Sequence, residues 1–128
     1  MSALHDRYEL SFEPRDGYLY AYIKADKIDH TIALEYLGEV WAHAADVRAK
    51  QILLERDVTA ALPLKDVDST FSEIGKLGAG VRMAFVNRRL PPEPSLQHFI
   101  ELNIATGADY KYFDTVREAE NWLRTRAC

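Results

Sequence analysis

The stretch Asp29-His30-Thr31-Ile32-Ala33-Leu34-Glu35-Tyr36-Leu37-Gly38-Glu39-Val40-Trp41-Ala42-His43-Ala44-Ala45-Asp46-Val47, with Gln51-Ile52-Leu53-Leu54-Glu55 close behind it, decides the fold. Asp29 is placed to cap a helix, because its carboxylate can accept an amide of the first turn. Ile32, Ala33, Tyr36, Leu37, Val40, Trp41, Ala44 and Val47 then recur at helical spacing. Glu35, Glu39, His43 and Asp46 fall largely off that stripe, so the spacing predicts one long amphipathic helix. Residues 51–55 carry apolar side chains on both faces, which suits a strand covered on both sides.

Upstream, Tyr8, Leu10 and Phe12 alternate with Glu9, Ser11 and Glu13, the period of a half-buried strand. Pro14-Arg15-Asp16-Gly17 reads as a turn, and Tyr18 to Ala25 as the second strand of a hairpin. Downstream, Arg56 to Leu64 reads as an apolar loop that either forms a wall of a ligand cleft or docking surface or folds back on the core. A short helix is expected from about Asp68 to Leu77, with Phe71, Ile74 and Leu77 on its apolar side and Gly78 and Gly80 at its end. Val81 to Val86 is another buried-type strand, followed by Asn87-Arg88-Arg89. Pro91, Pro92 and Pro94 mark a stiff connection. Leu96, Phe99, Ile100 and Ile104 define a third helix that Gly107 stops. Tyr110 to Phe113 is a last strand. Thr115 and Glu118 match a capping box ahead of a helix that buries Val116, Ala119, Trp122 and Leu123.

The order is therefore ββαβαβαβα: an α/β fold with a mixed or largely parallel sheet, an N-terminal antiparallel hairpin and packed helices. The chain of 128 residues is expected to form a single domain over 1–128, with its core at about 8–123. Sixteen Lys and Arg against 20 Asp and Glu give a net charge of −4, which argues against nucleic-acid or anionic-membrane binding driven by charge. A single cysteine forbids an internal disulfide and fits a reducing compartment. No signal-like or spanning apolar run is visible, so a soluble cytoplasmic protein is expected, not an integral membrane one.

The segment Tyr112-Phe113-Asp114-Thr115-x-x-Glu118-Ala119-x-x-Trp122-Leu123, together with the order of elements from about Tyr8 to Leu123, resembles the SpoIIAA-like branch of the STAS superfamily, whose founding members are bacterial anti-sigma-factor antagonists. The resemblance implies a small regulatory or ligand-binding domain, not a defined enzyme. It also implies a phosphorylatable residue near Asp68-Ser69-Thr70, where antagonists carry an Asp-Ser-Ser-Gly-like stretch; Phe71 departs from that pattern. Some SpoIIAA-like members resemble lipid-binding domains, which brings in an apolar ligand. Read from spacing alone, Ser69 or Thr70 caps the second helix, and Thr70-x-x-Glu73 fits a capping box.

Gly75-Lys76-Leu77-Gly78-Ala79-Gly80 is no phosphate cradle, because its glycines follow a helix and precede a strand. His5, His30, His43 and His98 are scattered, without metal-ligand spacing, and His43 lies on the polar side of its helix. Cys128, as the last residue, is poorly held for a nucleophile. Neither a catalytic set nor a cofactor is expected. Arg88 and Arg89 stand at a strand's C-terminal end, where α/β sheets bind ligands, as either an anion grip or a solvated basic turn. Asn103 falls on the apolar side of the third helix, at a pocket or in helix packing.

Three functions stay open. The first is a non-enzymatic domain that binds a protein partner, with self-association through an exposed apolar face as a homodimer. The second is a binder of a small apolar or anionic, lipid-like ligand. Its cleft would lie between residues 56–64, the Arg88-Arg89 turn and the third helix, lined by Arg56, Leu62, Leu64, Arg88, Arg89, Phe99 and Asn103. The third is a switch phosphorylated at Ser69 or Thr70.

Overall fold

In the computed structural model, which describes residues 2–4, 8–78, 80–91 and 93–125, six strands form one sheet in sequential order. They are Ser2–Leu4 (β1), Tyr8–Arg15 (β2), Tyr18–Lys27 (β3), Gln51–Ala60 (β4), Arg82–Asn87 (β5) and Asp109–Phe113 (β6). The helices are His30–Asp46 (α1), Val67–Ile74 (α2), Pro94–Ala105 (α3) and Val116–Thr125 (α4). β1, β2 and β3 pair antiparallel, and β3 through β6 pair parallel. The expected order ββαβαβαβα is present, with β1 added in front. Ser-Ala-Leu is too short to carry a period-two signal.

Three successive parallel crossovers between neighbouring strands, all of one hand, put α1, α2 and α3 on the same sheet face. Leu10, Leu19, Ile23, Ile52, Leu54, Met83 and Phe85 meet them there in the main core. α4 follows the last strand and covers the opposite face, where Ala119 and Leu123 pack on Leu53, Ala84 and Val86. Arg82 fixes the end of α4: it donates to the carbonyls of Trp122 (3.1 Å) and Leu123 (3.2 Å) while stacking on the Trp122 ring. Those carbonyls are among the ones that a helix end leaves without intrahelical donors.

The cap of α1 forms as expected and that of α4 in half: the Glu118 carboxylate accepts the Thr115 hydroxyl at 3.2 Å instead of the Thr115 amide that would close the box. Asp29 accepts the Ile32 amide at 2.8 Å, and Thr115 Oγ1 accepts the Glu118 amide at 3.1 Å. The segment Arg56–Leu64 departs from expectation. It is not an apolar loop: β4 runs on through Arg56 and Asp57 to Ala60, and Val58 and Leu62 are buried in the core. Charges normally end a buried strand. Here each is matched by a partner of its own, which the sequence pattern does not reveal.

The second helix also differs. It spans Val67–Ile74 between two single 3-10 turns, and neither Ser69 nor Thr70 is its cap. Both hydroxyls donate backward to the carbonyl of Asp66, and Glu73 pairs with His30 instead of closing a box. Phe71 and Ile74 do pack on the core, whereas the side chain of Leu77 lies outside the described residues. In α3 the buried stripe is Leu96, Phe99, Ile100 and Asn103, and Ile104 is exposed. Gly107 ends α3 with φ +98.

Candidate functional site

Parallel strands present unpaired ends at their C-terminal rim, and ligands of α/β sheets sit there. The middle of β4 and the end of β5 carry four of the buried polar side chains of the described residues: Glu55, Arg56, Asp57 and Asn87. Strand alternation sorts them onto opposite faces. Arg56 and Asn87 point toward α1 and α3, while Glu55 and Asp57 point the other way.

On the outer face, Tyr20 donates to Glu55, which also accepts Arg88 Nε at 3.1 Å. One step along, Tyr22 donates to Asp57 Oδ2 at 2.5 Å, and Asp57 accepts Arg89 Nε as well. Two tyrosine–carboxylate–arginine sets thus step along the sheet in parallel. Burial pushes the Asp57 carboxyl up. The hydrogen bonds from Tyr22 and Arg89 and the nearby guanidinium charges outweigh that and hold it below the ordinary carboxylate value. Burial raises both phenols, and their carboxylate partners raise them further. The Arg88 and Arg89 side chains stay 54% and 58% exposed, so the carboxylates anchor them by Nε and leave their tips in solvent. Arg15 stacks on the Tyr20 ring at 3.9 Å, and Arg88 lies 5.4 Å from the Tyr22 centroid.

On the inner face, Arg56 is 4% exposed. Its Nη1 donates to Asn87 Oδ1 and to Glu93 Oε1, each at 2.8 Å. Asn87 Nδ2 donates to Glu93 Oε2 at 2.7 Å. Burial opposes the charge on Arg56, but Tyr36 and Glu93 more than restore it, so the group stays a cation. Next to it lies a cavity of about 30 Å³ lined by Ile28, Tyr36, Leu62, Thr70, Leu96 and Phe99, among others. That is room for roughly two waters, far less than a lipid chain needs.

The expected cleft is therefore divided. Arg56, Leu62 and Phe99 do come together around the inner cavity. Arg88 and Arg89 lie on the opposite sheet face, because the chain leaves β5 there and both find carboxylates of β4. Leu64 is 54% exposed, outside the cavity. Asn103 is a packing residue whose Nδ2 donates to the Phe99 carbonyl at 2.8 Å. Thr70 is fully buried and in contact with His30 Nδ1 at 2.8 Å, whereas Ser69 is exposed. His43 is half-buried and stacked on Phe12, and His98 pairs with Asp68. His5 and Cys128 lie outside the described residues. Sequence reasoning missed Asp57, Glu55, Tyr20, Tyr22 and Glu93; the alternation of tyrosines on β3 against acids on β4 was the one signal available.

A crystal structure of an uncharacterized protein from the DUF3478 family of Shewanella loihica PV-4, described as having a SpoIIAA-like fold, superposes with a TM-score of 0.58 at 21% identity, over 96% of this chain and 98% of that one. The fold is SpoIIAA-like. The anti-sigma-factor antagonist SpoIIAA in its unphosphorylated form matches with a TM-score of 0.52 at 13% identity, over 90% of this chain and 97% of that one. No family model and no curated protein matches the chain. On this SpoIIAA-like frame no described helix is long and apolar enough to cross a membrane. Among the described residues, no group of three or more His, Cys, Asp or Glu is placed to hold a metal ion.

Proposed function

We propose that the protein is a non-enzymatic interaction domain that recognises a protein partner through the outer sheet face. One observation carries this: α4 packs over β4, β5 and β6, while the neighbouring half of that face presents half-buried Tyr20 and Tyr22, with Arg15 stacked on the Tyr20 ring, Arg88 near the Tyr22 ring and the exposed side chains of Arg88 and Arg89 beside them. Tyrosine and arginine held rigid on a sheet are the residue types that dominate binding energy at interfaces. A partner segment with carboxylates for the arginines and an apolar side for the tyrosines fits this surface. The nearly filled interior favours surface recognition over enclosure of a lipid-like ligand.

The test is quantitative affinity capture from the source cells. Wild type is compared with Lys24→Glu/Arg88→Ala on the outer face and with Glu101→Lys on exposed α3 as a control. The expected result is a partner retained by wild type and the control and lost by the outer-face variant. Equal capture by all three would contradict the proposal.

A second reading rests on Ser69. It is exposed in the first turn of α2, beside the Asp68–His98 pair, and a phosphate there would add roughly −1.5 to −2 charge at a helix start. Thr70, being buried, is not open to a kinase without unfolding of α2. Ser69→Asp that left partner binding unchanged would count against this switch.

A further inference from the structure

We propose that the cradle formed by Arg56 and Asn87 is a binding site for a small monocarboxylate, with Glu93 as its internal occupant. Arg56, within β4, and Asn87, the last residue of β5, are register partners. Together they offer a guanidinium and a side-chain amide to the two oxygens of one carboxylate, and Glu93 fills that place with contacts of 2.8 and 2.7 Å. This is the charge-assisted geometry by which arginine recognises carboxylates.

Two features mark Glu93 as displaceable. It stands at the N-cap position of α3, before Pro94, yet its side chain caps nothing. Once released, its carboxylate has a second place to go, onto the free amides of the first turn of α3. In addition, Glu93 leaves the site incompletely used: Arg56 Nε is buried and has no hydrogen-bond partner among the described residues. A carboxylate not tethered to the start of α3 can shift to bridge Nε and Nη. The exchange keeps one carboxylate on one guanidinium, so no net charge is added to the interior.

The adjoining cavity sets the size of the ligand. Arg56 lines it with Tyr36, Ser95, Leu96 and Phe99, and its volume of about 30 Å³ takes one or two carbons. Acetate and propionate fit, whereas long-chain acids do not. This inference stands apart from recognition on the outer face, so either can fail alone.

The test is NMR titration of the Arg56 Nε–H and Asn87 side-chain amide with sodium propionate against matched sodium chloride. A saturable shift of both groups is expected in the wild type, with no comparable response to propionamide and weaker binding of octanoate. Glu93→Gln, which removes the competing charge, is expected to bind propionate roughly tenfold tighter, because the cradle is then more often vacant. Glu93→Asp, which keeps the charge but shortens the reach to the cradle, should behave likewise if Glu93→Gln folds poorly. No saturable shift in wild type or variants would overturn the proposal, and so would an equal response to propionamide. Binding confined to the variants would also overturn it, since Glu93 would then be a fixed structural partner.

Discussion

Tyr22 on β3 donates a hydrogen bond from its phenol to Asp57 on β4 at 2.5 Å, and the same carboxylate accepts Arg89 from just past the end of β5. Three strands are thus joined on the outer face by one buried acid. The contact explains why β4 can carry an aspartate at 3% exposure and still continue as a strand. Asp57→Asn is expected to cost about 1–3 kcal/mol at neutral pH, since charge-assisted bonds to a buried group are lost. The acid dependence has a definite sign. A carboxyl whose pKa in the folded state lies below the ordinary value of 3.8 adds stability that is complete above pH 3.8 and lost as pH falls through the folded value. Urea titrations between pH 5 and 2 should therefore show wild type losing stability below about pH 3.8 more steeply than Asp57→Asn. Parallel curves would contradict this.

Glu93 and Arg56 form a buried ion pair, with side chains 13% and 5% exposed. Removing one partner strands the other charge. Glu93→Ala is expected to destabilise by about 3 kcal/mol, and the double change Arg56→Met with Glu93→Ala by less than that. Chemical denaturation of the three proteins checks it. A double variant less stable than Glu93→Ala alone would show that the guanidinium contributes more by its other bonds than by this pair.

Gly78 has no room for a side chain. A Cβ there would lie 2.2 Å from the Tyr110 hydroxyl and 2.6 Å from the Trp41 ring, and the Gly78 carbonyl accepts the Tyr110 hydroxyl at 3.0 Å. Gly78→Ala should therefore cost about 1–3 kcal/mol, read from the urea midpoint. Gly80, with open space around the same position, should tolerate alanine better.

Arg48 has φ +59, the left-handed region, just past α1. Its neighbours explain the conformation: the amide of Ala49 reaches back to the Ala44 carbonyl at 2.8 Å, and that of Arg48 to Ala45 at 3.2 Å, which is a helix-ending turn that normally takes glycine. Arg48→Gly removes the steric penalty at some entropic cost and is expected to raise stability by about 0.5 kcal/mol. A lower urea midpoint in the variant would contradict this.

Most of the fold was legible because it rests on periodicity. The stripe Ile32-Ala33-Tyr36-Leu37-Val40-Trp41-Ala44 and the runs at 52–54 and 83–86 signal their burial in the residue types themselves. The candidate site at the rim was legible only in pieces. Arg56 and Asp57 read as the start of a loop because their partners lie more than thirty residues away, at Glu93, Asn87, Tyr22 and Arg89. Arg88 and Arg89 were grouped with Arg56 by position along the chain, but a two-residue alternation in β4 separates their partners onto opposite faces. Ser69 and Thr70 carried a capping signal that the preceding turn at Leu64–Asp66 displaced by making Asp66 the carbonyl they bond. Long-range pairing of polar groups leaves no local period, and that is where reading from residues ended.

Recognition through the outer sheet face is tested most directly by photo-cross-linking in living cells. A photoreactive side chain is placed at Lys24, exposed beside Tyr22 on that face, or at Glu101, exposed on α3. The account predicts one discrete adduct from position 24, abolished by Arg88→Ala, and none from position 101. An adduct from position 101 alone, or equal adducts from both, would contradict it.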